Sequence, residues 1–115
     1  MLYITNSFTL AMLPAWRLVD MDAETSIHIQ PVDPAAFLAD AEKRHGMAIS
    51  AVGHADTAAL FSSLLDIPIQ FNRQSIVIGE NDEVLVGQYH GPRMAEGNKT
   101  LPEGAEIRWM AVTLL

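Results

Sequence analysis

Short apolar runs broken by polar turns dominate this chain, and two stretches carry a helical period. Leu2-Tyr3-Ile4-Thr5 reads as a buried strand, rich in residues that favour a pleated surface, and Asn6-Ser7 breaks it with turn-forming side chains. Trp16–Val19 and Ser26–Val32 read as two further strands across the acidic turn Asp20-Met21-Asp22-Ala23-Glu24. In the second, Ile27 and Ile29 alternate with His28 and Gln30, so one face is expected to be wet. Asp33-Pro34 then predicts a helix start, an N-cap acceptor followed by proline at the first helical position. Phe37, Leu38 and Ala41 form its apolar stripe, Lys43-Arg44-His45 complement its C-terminal dipole, and Gly46 ends it. Met47–Val52 is an apolar connection. The spacing of Ala58, Leu60, Phe61, Leu64 and Leu65 gives a second, one-sided helix, closed by Leu65-Asp66-Ile67-Pro68. Ser75–Ile78 and Val84–Tyr89 predict a hairpin across Gly79–Glu83. His90–Glu103 is a long Gly- and Pro-containing loop expected to be mobile, and Ile107–Leu115 an interior strand. The order predicts an α/β fold, a single mixed sheet with helices packed on it, without internal repeats.

Composition narrows this picture. The 115 residues make one domain, 1–115, and 50% of them are apolar against 18% charged. Such a chain is not a disordered tail, and so apolar a small domain is expected to cover part of its surface with a second copy, as a dimer. With no cysteine there is no disulfide frame, thiolate metal site or cysteine nucleophile, as in a cytoplasmic protein. Seven lysines and arginines against a net charge of −7 exclude a protein that coats long nucleic acid, because phosphate-backbone binding rests on those cations. One pocket for a small anion needs only one or two arginines. The opening Met1–Asn6 lacks a basic leader pattern and no apolar stretch approaches ~20 residues, so neither export nor a membrane is expected.

The polar residues that stand apart are Asn6, His54, Arg73, Gln88, Arg93 and Glu96, each at an element end or in a loop. His54, in Gly53-His54-Ala55-Asp56-Thr57, falls on the first turn of the second helix, where unpaired N–H groups and the helix dipole favour an anion. Such a histidine can bind phosphate, give a proton to a leaving oxygen, or simply cap the helix. Arg73 reads equally as a rim charge, and Arg93 with Glu96 as a local ion pair. His28, His45 and His90 are scattered without metal-ligand spacing, and the 20–24 turn lacks the glycine and terminal glutamate of a calcium loop. No P-loop, dinucleotide-binding turn or Gly-x-Ser-x-Gly occurs, so no metal and no cofactor is called for. Metal-free phosphodiester cleavage in RNA fits the remaining set. The substrate's 2′-hydroxyl is the nucleophile there; the protein needs an acid for the departing 5′-oxygen and cations for the phosphorane. An imidazole, with an ordinary pKa of about 6.5, suits the first role and an arginine fork the second.

Tyr3-Ile4-Thr5-Asn6-Ser7-Phe8, the Gly-His-x-x-Thr turn at 53–57, Asn72-Arg73, Gln88, Arg93 and Glu96-Gly97 occur in an order and at distances that resemble one family. The chain is similar, over nearly its whole length, to the viral anti-CRISPR ring nucleases of type III immunity and their bacterial relatives. The resemblance implies a cytoplasmic homodimer that binds cyclic oligoadenylate, foremost cyclic tetra-adenylate, across its two-fold axis. Cleavage without metal would give linear products ending in a 2′,3′-cyclic phosphate and switch off type III CRISPR signalling. It further implies His54 as general acid, Arg93 and Glu96 at the reacting phosphate, and Asn6, Arg73 and Gln88 holding the ligand. Tyr89-His90-Gly91-Pro92 is one residue longer than the family's spacing before the arginine, which brings His90 in as an extra imidazole beside the expected site. The alternatives from other classes are a cyclic-nucleotide sponge without turnover and a viral or mobile-element protein acting only through interfaces.

Overall fold

β1 (Leu2–Thr5) is buried at all four positions, and the rest of the sheet is laid out around it. The computed structural model describes residues 1–115. β1 runs parallel to β3 (Ile49–Ser50) on one side and to β4 (Glu83–His90) on the other. β5 (Glu106–Leu114) pairs antiparallel with β4, and β2 (Ile27–Pro31) closes the far edge, giving the order β2-β5-β4-β1-β3. Parallel strands need long crossovers: α1 (Pro34–His45) lies in the connection from β1 to β3, and α2 (Ala55–Leu65) in the one that passes β1 from β3 to β4. The α/β class with a single mixed sheet is therefore as the hydrophobic pattern predicts.

Alternation in the central strands divides the core into two faces. On one, Leu2, Ile4 and Leu85 pack with Leu38 and Ala41 of α1 (Pro34–His45) and with Ala58, Leu60, Phe61 and Leu65 of α2. On the other, Tyr3, Val84, Val86, Val112 and Leu114 meet Leu13, Ile76 and Ile78 from irregular segments. Asp33 Oδ2 accepts from Ala36 N at 3.1 Å, fixing the start of α1, and Gly46 (φ +80°) ends it. Asp66 in the left-handed region ends α2. No helix is long and apolar enough to cross a membrane.

Four expectations are corrected. Trp16–Val19 is not a strand: Ala15–Arg17 forms a short 3-10 turn after Pro14, with Arg17 N donating to Pro14 O and Leu18 N to Ala15 O. Trp16 and Val19 are exposed, so their β propensity, which reflects fit to a half-buried pleat, finds no pleat to fit. The hairpin between 75–78 and 84–89 does not form. The turn is there, with Asp82 Oδ2 accepting from Gly79 N at 2.8 Å, but both edges of β4 are taken by β1 and β5. Residues 75–78 pack instead as an extended cover, Ile78 N donating to Met12 O. The connection 47–52 holds the two-residue β3, and Ile29, on the edge strand β2, is 52% exposed despite its alternation with His28 and Gln30.

Candidate functional site

The chain leaves β1, β3 and β4 at the same end of the sheet, since the three are parallel. Crevices outside the carboxyl ends of such strands are the usual ligand sites of α/β sheets. Here that end carries Asn6 after β1, Gly53-His54 after β3, and the loop 91–105 after β4. The exits of β1 and β3 are tied together. The buried Thr5 hydroxyl lies 3.2 Å from Ser7 O and 3.4 Å from Ala51 O. Asn72 N donates to Val52 O at 2.9 Å and Asn72 Nδ2 to Ser50 O at 2.6 Å, which pins the 70–74 segment against the exit of β3.

An open cavity of about 1070 Å³ lies there. Asn6, His54, Arg73, Arg93 and Glu96 all line it, so five of the six residues singled out from sequence meet at one place. Gln88 is not in the lining. The space above Gly87 is filled by Phe61 and Trp109 on the helix side of the sheet, so Gln88, its neighbour in β4, points to the opposite face. The same alternation puts Tyr89 into the cavity and leaves His90 out of its lining, which removes the extra imidazole from the expected site.

His54 is exposed and occupies the N-cap position of α2, yet its side chain caps nothing. Its carbonyl accepts from Ala58 N at 2.9 Å, while the N–H groups of Ala55, Asp56 and Thr57, ahead of that first intrahelical bond, have no acceptor within the helix. Capping is thus not what this imidazole does. Arg73 Nε and Nη2 reach Gly53 O at 3.4 and 3.3 Å, which brings its guanidinium to the turn that carries His54. Arg17, Arg44 and Arg108 form ion pairs; Arg73 and Arg93 form none, and Arg93 and Glu96 do not pair with each other. In a chain of net charge −7, two guanidiniums without carboxylate partners thus face one cavity. No three His, Asp or Glu residues gather in a metal-holding group.

Residues 2–112 match the model of one protein family. The chain belongs to the STIV B116-like family. It is similar to B116 of Sulfolobus turreted icosahedral virus, with a TM-score of 0.72, 25% identity and 97% of both chains covered. It is also 35% identical over 85 residues to "Uncharacterized protein 26" of Sulfolobus islandicus filamentous virus, isolate Iceland/Hveragerdi. That match takes in 74% of this chain and 64% of the viral protein's length.

In this STIV B116-like chain the structure adds three lining residues that sequence reasoning passed over: Asp56, Phe71 and Tyr89. Asp56 Oδ2 accepts from Gly97 N at 2.8 Å, fastening the loop that carries Arg93 and Glu96 to the first turn of α2. Tyr89 hydroxyl donates to Pro92 O within the same loop. At Gly91 (φ +154°) a Cβ would lie 2.6 Å from that of Ala105, so glycine is what lets the two ends of the loop close together. The signal for Asp56 was its place beside His54 on the first helical turn; that for Tyr89 was its parity with Gly87.

Proposed function

We propose that this chain is a metal-independent ring nuclease that cleaves cyclic oligoadenylate, foremost cyclic tetra-adenylate, and so ends type III CRISPR signalling. One observation carries the reading: an exposed imidazole at the open N-terminus of α2 shares a cavity with two guanidiniums that make no ion pair. The motif resemblance adds the substrate, and the cavity's volume exceeds what a lone phosphate needs.

In the proposed reaction a ribose 2′-oxygen attacks the adjacent phosphorus and the P–O5′ bond breaks. The 2′-hydroxyl proton passes to water, and the His54 imidazolium gives its proton to the departing 5′-oxygen. The products are a 5′-hydroxyl and a 2′,3′-cyclic phosphate. Arg93 offsets the charge that grows on the equatorial phosphoryl oxygens, and Glu96 orients groups beside it. Asn6, Arg73 and the unpaired N–H groups of α2 hold the ground-state anion. Two copies of the chain would give a cyclic tetramer two equivalent scissile bonds. Both the dimer and its action in the host cytoplasm belong to the proposal.

The test is incubation with cyclic tetra-adenylate in EDTA, followed by mass spectrometry. Linear oligoadenylate with a cyclic phosphate end supports the reading. Bound but intact ligand would turn it into a sponge, and cleavage that needs an added divalent ion would overturn the mechanism.

A further inference from the structure

Phosphate recognition does not account for the cavity's apolar wall. Phe71 lines the cavity and is 53% exposed, and it belongs to neither hydrophobic core, although Ile69, two residues earlier, packs against one. The backbone on either side is fixed. Ser50 Oγ donates to Gln70 O at 2.6 Å, and Asn72 N donates to Val52 O at 2.9 Å. A half-exposed ring on a fixed stretch of backbone, two residues from an unpaired guanidinium, suits a planar group joined to an anion. Ring faces and nucleobases stack favourably whatever the base, whereas a phosphate alone gains nothing from a phenyl ring.

We infer that Phe71 is a stacking platform for a nucleobase, forming with Arg73 a subsite for one nucleotide unit. The inference rests on the cavity being a nucleotide-phosphate site, as proposed above. A ring face carries no hydrogen-bond code, so Phe71 separates base-bearing from base-free phosphates and does not tell adenine from guanine.

The experiment measures affinity for AMP and for ribose 5-phosphate on the wild-type chain and on Phe71→Ala, Phe71→Leu and Phe71→Tyr. Cyclic tetra-deoxyadenylate, which lacks the attacking hydroxyl, serves as the ring-shaped probe. The expected result is a preference of wild type for AMP over ribose 5-phosphate. Phe71→Ala should erase it and weaken the cyclic probe by roughly 5- to 150-fold, the range measured for loss of one base–aromatic stack. Phe71→Tyr should stay near wild type and Phe71→Leu should behave like the alanine variant, which separates a lost ring from a lost fold. Equal affinity of wild type for AMP and ribose 5-phosphate would overturn the subsite. So would a Phe71→Ala chain that keeps full affinity, or one whose main change is dissociation of a dimer in sedimentation. Base preference without binding of the cyclic probe would support Phe71 while sinking the ring-nuclease reading.

Discussion

Gly87→Ala tests the packing that supports the cavity from below. Gly87 stands in β4 opposite Trp109, and the rings of Phe61 and Trp109 meet over it, centroids 4.8 Å apart and tilted 54°. An added Cβ would lie 2.6 Å from Phe61 Cζ, 2.6 Å from Trp109 Cζ3 and 3.0 Å from Trp109 Cη2. Contacts that short cannot persist, so one ring must leave its rotamer or the strands must part. Overpacking of this kind costs about 1–3 kcal/mol. Reduced freedom of the unfolded chain returns about 0.4–1 kcal/mol of that for Gly→Ala. A net loss of about 1–2 kcal/mol follows, and for a domain of this size the Tm falls by about 4–8 °C. Thermal and urea unfolding followed by circular dichroism measure it, with Gly79→Ala as a control, since a Cβ there meets only Asp82 Oδ2, at 3.6 Å. A Gly87→Ala chain as stable as wild type, with unshifted tryptophan fluorescence, would refute the close approach.

Asp56→Ala should raise the exchange rate of the Gly97 amide about five- to tenfold, the equivalent of a net hydrogen bond of about 1 kcal/mol, while Asp56→Asn keeps an acceptor and changes it little. Cleavage of cyclic tetra-adenylate should slow in the alanine variant alone, through kcat more than KM, because the loop it frees carries Arg93 and Glu96. Arg73→Ala should weaken ligand binding at least fivefold, and unchanged affinity would take Arg73 out of the binding set. Tyr3 is held above its ordinary pKa of 10.0, first by burial and then by the negative charge of Asp82. The folded chain thus holds that proton more tightly than the unfolded one, so its contribution is whole below pH 10.0 and lost as pH climbs from there. The alkaline fall of Tm should therefore be shallower in Tyr3→Phe, and an identical profile would contradict it.

Local rules succeeded where one element settles its own fate. Asp33-Pro34 and Gly46 bound α1 because N-cap acceptance and a positive φ are properties of those residues. They failed where pairing partners decide. Ser75–Ile78 alternates well enough for a strand, and nothing in the segment reveals that β1 and β5 already occupy both edges of β4. Trp16–Val19 has strand-forming residues but pairs with no strand, Ala15–Arg17 closing a 3-10 turn instead. For the site, Asn6, His54, Arg73, Arg93 and Glu96 were legible because each sits at an element end on the side where parallel strands terminate. Gln88 falls on the other face of β4 by one step of alternation, which depends on the register against Trp109 and Phe61. Asp56 escaped notice because its partner, Gly97, is 41 residues away.

The most direct measurement is single-turnover cleavage of cyclic tetra-adenylate in EDTA, with excess protein, comparing wild type with His54→Ala while binding is followed in parallel. His54→Ala is expected to lose at least a hundredfold in rate, the scale of a general acid, and to hold the ligand within a few-fold of wild type. Cleavage at an undiminished rate, or an equal loss of binding and rate, would contradict the role of His54 as the proton donor.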